Sequence, residues 1–182
     1  FDIDPYEPGQ TVLFPEMDES VEVPEITTAC WDILGKVTGK SVCDLMGGKF
    51  GESVALYRAI SQRSTDEMAE NVAAHRADGY TKFQLKVGGR PGDDIDRIHA
   101  VADILANGEV LVADANTGWR VDEAARVVRG VQDVDVYIEQ PCESYEHSLT
   151  IRRRTELPFI LDENIDSLPM LLRAHRDGAM DS

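Results

Sequence analysis

Lysine is scarce in this chain: 5 of 182 residues, against 13 arginines. The 18 bases face 34 acids, for a formal net charge of −16. A surface of that sign repels nucleic acid and anionic membranes, so neither is an expected partner. High acid content with few lysines also resembles proteins of salt-loving archaea, and a halophilic source is the expectation. Cysteine is scarcer still. Cys30, Cys43 and Cys142 are odd in number and widely spaced, and no Cys-x-x-Cys occurs, which argues against zinc ribbons and redox dithiols. Buried free thiols in a reducing, cytoplasmic compartment are expected instead. No apolar run approaches the length of a membrane span. The chain opens Phe-Asp-Ile-Asp-Pro, with no basic and apolar leader and no initiating methionine, so residues are expected upstream.

At 42% hydrophobic, the chain can bury a core of one domain or one and a half. Residues 1–23 carry Pro5, Pro8, Gly9 and Pro15 and read as loop with one short helix at most. Apolar spacing predicts a helix over Thr27–Lys36 and a short one over Val42–Met46. From Val54 the pattern alternates. Strands are predicted at Val54–Ala59, Thr81–Val87, Val110–Asp114, Val134–Glu139 and Phe159–Asp162. Helices are predicted at Thr65–Ala77, Asp93–Ala106, Val121–Val131, Tyr145–Arg154 and Ser167–His175. Ser64 or Thr65 is placed to cap the first of these, and Ala179–Asp181 reads as a sixth strand beginning. Strict alternation means a parallel sheet with flanking helices. No Gly-x-Gly-x-x-Gly follows the first strand, which argues against an open dinucleotide-binding sheet. A (β/α)8 barrel of the TIM type is expected, of which five and a half βα units are present, because a whole barrel needs about 250 residues.

The polar residues at the strand ends carry the chemistry. Lys86 closes the second strand, Asp114 the third, Glu139 the fourth and Asp162 the fifth. Their separations of 28, 25 and 23 residues are one βα unit each. In a barrel these ends converge on the active face. Three carboxylates meeting there repel one another unless a cation lies between them. Hard oxygen donors from separate strands suit Mg²⁺, and Mn²⁺ also fits. Along the second strand, Lys82, Gln84 and Lys86 share the face opposite Phe83, Leu85 and Val87. Lys82 lies deepest and is expected to pair with an acid inside the barrel.

Asp114-Ala-Asn116, Glu139-Gln-Pro141 and Asp162-Glu163 resemble the metal-ligand motifs of the enolase superfamily, mandelate racemase/muconate lactonizing enzyme group. Cys30-Trp-Asp-Ile-Leu-Gly-Lys36 resembles the helix of that group's α+β capping domain that leads into the barrel. The likeness runs over residues 24–182. It implies that 1–50 is a remnant of the capping domain and 51–182 the first part of the barrel. It also implies that Asp114, Glu139 and Asp162 bind Mg²⁺, which holds a substrate carboxylate and stabilises an enediolate. Lys86 is then the base that moves the α-proton, its pKa depressed by the cation and by burial. The group often has Lys-x-Lys where this chain has Gln84-Leu85-Lys86. Gln84 can hydrogen-bond substrate or orient Lys86 but brings no charge.

Phe83-Gln-Leu-Lys-Val-Gly-Gly89 with Glu139-Gln-Pro-Cys142 is most similar to the cis-3-hydroxy-L-proline dehydratases, with proline-betaine epimerases close by. The expected reaction is dehydration of a cis-3-hydroxyproline-like acid. The alternatives are racemisation or epimerisation, which uses a second lysine at the end of the sixth strand, and a metal-binding fragment without catalysis. Expected partners are a small carboxylate substrate and further copies of the chain. Asn116 reads as a pocket residue or a helix cap, Glu163 as an orienting acid or an exposed turn acid, and Trp119 as a pocket wall or core. His75, His99, His147 and His175 fall on helices and are expected to ligate nothing.

Overall fold

The computed structural model describes residues 24–49, 51, 53 and 55–182. They fall into two compact units that divide between residues 54 and 55. The loop expected over 1–23 and the strand start expected at Val54 lie outside the described residues.

In the first unit, α1 (Pro24–Thr38) runs two residues past the expected end. The Thr38 hydroxyl donates to the Leu34 carbonyl at 2.7 Å, and Gly39, at φ +64°, ends the helix by letting the Lys40 amide reach the Gly35 carbonyl at 3.0 Å. Then α2 (Val42–Leu45) starts on a Ser41 cap. Cys30 and Cys43 are exposed in this unit, against the expectation of burial, because the faces that carry them are uncovered among the described residues. Cys142, in the second unit, is buried, and burial pushes its thiol up to about 11.

The second unit alternates without exception: β1 (Arg58–Ile60), α3 (Thr65–Ala77), β2 (Lys82–Lys86), α4 (Pro91–Ala102), β3 (Val110–Asp114), α5 (Val121–Gly130), β4 (Tyr137–Glu139), α6 (Tyr145–Arg152), β5 (Phe159–Ile160) and α7 (Leu168–Asp177). Ser64 caps α3 in a full capping box with Glu67. Ser144 and Ser167 cap α6 and α7.

The five strands form one parallel sheet in the order β1-β2-β3-β4-β5. A doubly wound sheet reverses its order at a switch point. This one never reverses, which is the order of a barrel wall. One face is dry: Ile60, Phe83, Leu85, Leu111, Ala113, Ile138 and Phe159 pack with Met68, Val72, Ile98, Val101, Val127 and Ile151 from the helices. Side-chain alternation turns Lys82, Gln84, Lys86, Asp114 and Glu139 to the other face. Lys82 is exposed there and makes no ion pair among the described residues. The expected buried partner is absent because no described element covers that end of the face.

Strand limits differ from expectation where the ladder is short. β1 is an edge strand paired only from Arg58↔Phe83 to Ile60↔Leu85. β4 begins at Tyr137 because Val134 closes a turn onto Val131. Ala179–Asp181 is not a strand, yet the Asp181 and Ser182 amides both donate to the Phe159 carbonyl and Leu161 donates to Ser182, so the segment runs alongside β5. No helix among the described residues is long and apolar enough to cross a membrane.

Candidate active site

Ladder register decides which strand-end residues meet. Lys86 is the Cα partner of Asp114, Asp114 of Glu139, and Glu139 of Ile160. Neighbouring strands lie about 4.8 Å apart, so Lys86, Asp114 and Glu139 form one row across the rim. Asp162 does not close β5 as expected. It sits two residues beyond the end of that strand and is exposed.

The row is linked by side chains. Lys86 Nζ donates to Asp114 Oδ2 in a short, charge-assisted contact, and the Asn116 amide donates to Asp114 Oδ1 at 2.8 Å. Gln84 Nε2 donates to Glu139 Oε2 at 2.7 Å. Gln84 therefore orients Glu139, not Lys86. Asn116 Nδ2 reaches Glu163 Oε1 at 3.2 Å, joining the loops after β3 and β5. Asp114 is 1% exposed and Glu139 8%, so two carboxylates are desolvated side by side.

Burial and charge set the proton affinities. Burial raises the pKa of Glu139 and the charges of Asp114 and Asp162 raise it further, against the lowering effects of the Gln84 hydrogen bond and Lys86. Lys86 is pulled both ways. Burial pulls its pKa down, but the hydrogen bond and charge of Asp114, with Glu139 and Tyr57 behind it, outweigh burial and hold it above the usual lysine value. The ammonium is stabilised because its nearest neighbour is a carboxylate.

Strained loops hold the rim. Asn116, Thr117 and Gln140 adopt φ of 42°, 66° and 38°. Such conformations cost non-glycine residues energy, and a branched Thr most of all. The strain is held by three backbone bonds between the loops after β3 and β4: Ala115 to Glu139, Thr117 to Gln140 and Trp119 to Pro141. The Gln140 side chain, fully buried, accepts from the Asp162 amide at 2.9 Å and the Asn164 amide at 3.3 Å, and donates to the Cys142 carbonyl. It thereby fixes where Asp162 leaves the sheet. Gln140 lies inside the Glu139-Gln-Pro141 motif, but nothing in its sequence context distinguishes a loop pin from a spacer. Trp119 is core, 2% exposed. The four histidines sit on helices: His75, His99 and His175 in the last turns of α3, α4 and α7, and His147 in the first turn of α6.

The donor set suits a hard divalent cation: all oxygen, two acids buried in register, and a Glu139 whose ionisation is opposed by its neighbours. Among the described residues, however, no three Asp, Glu, His or Cys side chains converge closely enough to hold a cation as they stand. Asp114 is turned to Lys86, and Asp162 is exposed beyond the end of β5. Two cavities of about 390 and 610 Å³ open at the opposite strand ends, one beside Glu109 and Asp135, the other beside Arg129 and Arg154. Neither includes a strand-end acid.

Residues 67–182 match the family described as enolase C-terminal domain-like. Over 156 residues the chain is 57% identical to a cis-3-hydroxy-L-proline dehydratase of Roseibium aggregatum, covering 86% of this chain and 42% of that protein. It is 32% identical to an N-succinyl-L-Arg/Lys racemase of Bacillus cereus, over 78% of this chain and 40% of the racemase. A mandelate racemase/muconate lactonizing enzyme from Roseovarius nubinhibens superposes with a TM-score of 0.75 at 46% identity, over 83% of this chain and 42% of that one. An enolase-superfamily member of the same organism, complexed with magnesium, superposes at 0.76 with 34% identity, over 86% and 43%. The chain thus spans about two fifths of the length of these relatives.

Proposed function

Because the chain belongs to the enolase C-terminal domain-like family, within the mandelate racemase/muconate lactonizing enzyme group, we propose that the whole protein removes the proton α to a carboxylate. The substrate in this reading is a small hydroxy or amino acid, and the specific choice is a cis-3-hydroxy-L-proline-like compound that then loses its β-hydroxyl as water. The observation that supports it most is the row of Lys86, Asp114 and Glu139 in register on three adjacent strands.

Asp114, Glu139 and Asp162 are the residues that would hold Mg²⁺. When bound, the cation supplies positive charge at the substrate carboxylate and lowers the cost of the negative charge left by the departing proton. Lys86 Nζ takes that proton. The C–H pair becomes the new Cα–Cβ double bond as the Cβ–O bond breaks. The hydroxide leaves as water once it gains a proton; in the cis compound the hydroxyl and the α-proton lie on opposite faces of the ring, so that proton comes from solvent or from an acid on the face away from Lys86. Lys86 is competent as a base only when its amine is neutral, and the Asp114 contact opposes that. Asp114 is therefore shared between two duties: paired with Lys86 it holds the ammonium, and engaged elsewhere it frees the amine. Gln84 fixes one Glu139 oxygen with a neutral donor, which leaves the carboxylate charge in place.

The racemase relative supports a second reading, inversion at Cα. That reaction needs a second acid on the opposite face of the substrate. Incubating the full-length protein with Mg²⁺ and cis-3-hydroxy-L-proline in D₂O, followed by NMR, separates the two. Dehydration shows the β-carbinol signal disappearing, and racemisation shows α-deuterium with the carbinol kept. A panel of proline and hydroxy-acid substrates that all keep their α-protons would contradict both.

A further inference from the structure

No motif singled out Asp94, yet it is fully buried in the first turn of α4 and carries five bonds. Its Oδ2 accepts the amides of Gly88 at 3.1 Å and Gly89 at 2.7 Å, and the Trp119 indole N–H at 2.9 Å. Its Oδ1 accepts from Gln62 Nε2 at 3.3 Å and pairs with Arg97 at 2.8 Å. Arg97 Nε in turn donates to the Arg63 carbonyl. Gln62 and Arg63 follow β1, Gly88 and Gly89 follow β2, and Trp119 follows β3. One carboxylate thus reaches three consecutive loops on the rim that carries Lys86 and Asp114.

The loops also touch directly. A Cβ added at Gly118 would stand 2.5 Å from the Gly88 carbonyl oxygen, so the turns after β2 and β3 meet backbone to backbone. That approach leaves no room for side chains to hold the turns, and the Gly88 and Gly89 amides need an acceptor from elsewhere. A carboxylate suits both needs. It accepts several N–H groups at once, and charge-assisted bonds are about twice as strong as neutral ones. A buried carboxylate is costly unless it is fully paired, as this one is.

We propose that Asp94 is a positioning residue: it ties the βα loops after β1, β2 and β3 into one unit and so sets Lys86, two residues before Gly88, against Asp114. The clamp stands on the geometry alone. Its effect on proton transfer rests on the function proposed above.

The test uses full-length protein carrying Asp94→Ala, Asp94→Asn and Trp119→Phe. Hydrogen exchange at the Gly88 and Gly89 amides is compared with the β2 core amides of the same sample. Removal of the substrate α-proton in D₂O, by exchange or with loss of water, is measured per folded molecule below each variant's Tm. In D94A the two glycine amides should lose at least tenfold in protection relative to β2. Its rate of α-proton removal at saturating substrate should fall on the order of ten- to a hundredfold, as a misplacement of about 1 Å does, with KM nearly unchanged. D94N keeps one carbonyl oxygen for the amides and indole and should recover most of both. W119F, which removes only the indole donor, should fall between D94N and wild type, and it decides the matter with D94N if D94A does not fold. Unchanged protection at Gly88 and Gly89 overturns the clamp. Lost protection with a wild-type rate per folded molecule overturns the positioning role and leaves Asp94 purely structural. A wild-type protein that removes no α-proton, either by exchange or with loss of water, overturns the proposed function and with it the positioning role, while the amide protection still decides the clamp.

Discussion

Lys86 and Asp114 are registered partners on β2 and β3, and the ammonium of one rests on the carboxylate of the other. The pairing raises the lysine's proton affinity although burial lowers it. A raised pKa on a cation stabilises the folded protein below the ordinary lysine range, and that contribution is lost as pH climbs through the raised value. With only five lysines, ¹³C-labelled lysine side chains can be titrated singly by NMR. Without divalent cation, Lys86 should titrate above the usual lysine range. Asp114→Asn should bring it down, and so should added Mg²⁺. A Lys86 that titrates like an exposed lysine in all three states contradicts the contact.

Glu139 gives the opposite sign. Burial first, then Asp114 and Asp162, raise its pKa, so its ionisation at neutral pH works against the fold. Glu139→Gln should raise the cation-free Tm at pH 7, and the gain should shrink as pH falls below the raised pKa, where the wild-type carboxyl is already neutral. The same variant should lose the stabilisation that Mg²⁺ gives, which for wild type at 100 times Kd is about 2.7 kcal/mol. Thermal unfolding with and without Mg²⁺ at pH 7 and at acid pH checks both.

Gln84 is the neutral donor to Glu139. Gln84→Leu leaves a buried carboxylate oxygen without its partner and should cost about 1–3 kcal/mol of stability. Gln84→Lys restores a donor but adds a charge that competes with a cation. It should weaken Mg²⁺ affinity measured by calorimetry, whereas Gln84→Glu adds repulsion and should destabilise the cation-free protein.

At Gly118 an added methyl would meet the Gly88 and Ala115 carbonyl oxygens at 2.5 and 2.9 Å. Backbone cannot yield as a flexible side chain does, so Gly118→Ala should cost roughly 1–3 kcal/mol. Gly92→Ala, where a Cβ meets nothing, should be close to neutral. Denaturant unfolding of the pair checks the contrast.

Much of this arrangement was legible in the chain itself, and the reason is periodicity. Strands such as Val110–Asp114 and helices such as Thr65–Ala77 announce themselves by spacing, and both lie where that spacing placed them. An acid that ends an apolar run must come out at the rim, so Asp114 and Glu139 were visible in advance. What was hidden depends on partners far along the chain. Gln84 meets Glu139 across 55 residues, and no local pattern says whether an amide will face a lysine or a carboxylate. Asp94 is one of three acids between residues 93 and 96, and only the packing of three loops separates it from Asp93 and Asp96. The Lys86 pKa could not be read either, since its sign rests on whether Asp114 turns toward it. Lys82 misled because alternation fixes which face a residue takes, not what covers that face.

The central claim is that Lys86 carries the α-proton. The direct measurement is the rate at which full-length protein with Mg²⁺ removes the α-proton of cis-3-hydroxy-L-proline in D₂O, counted as exchange plus water loss, wild type against Lys86→Ala, with bound Mg²⁺ quantified in both. The account predicts that this rate falls by a factor of about 10² or more in K86A, with Mg²⁺ still bound. Proton removal that continues at the wild-type rate in K86A would contradict it.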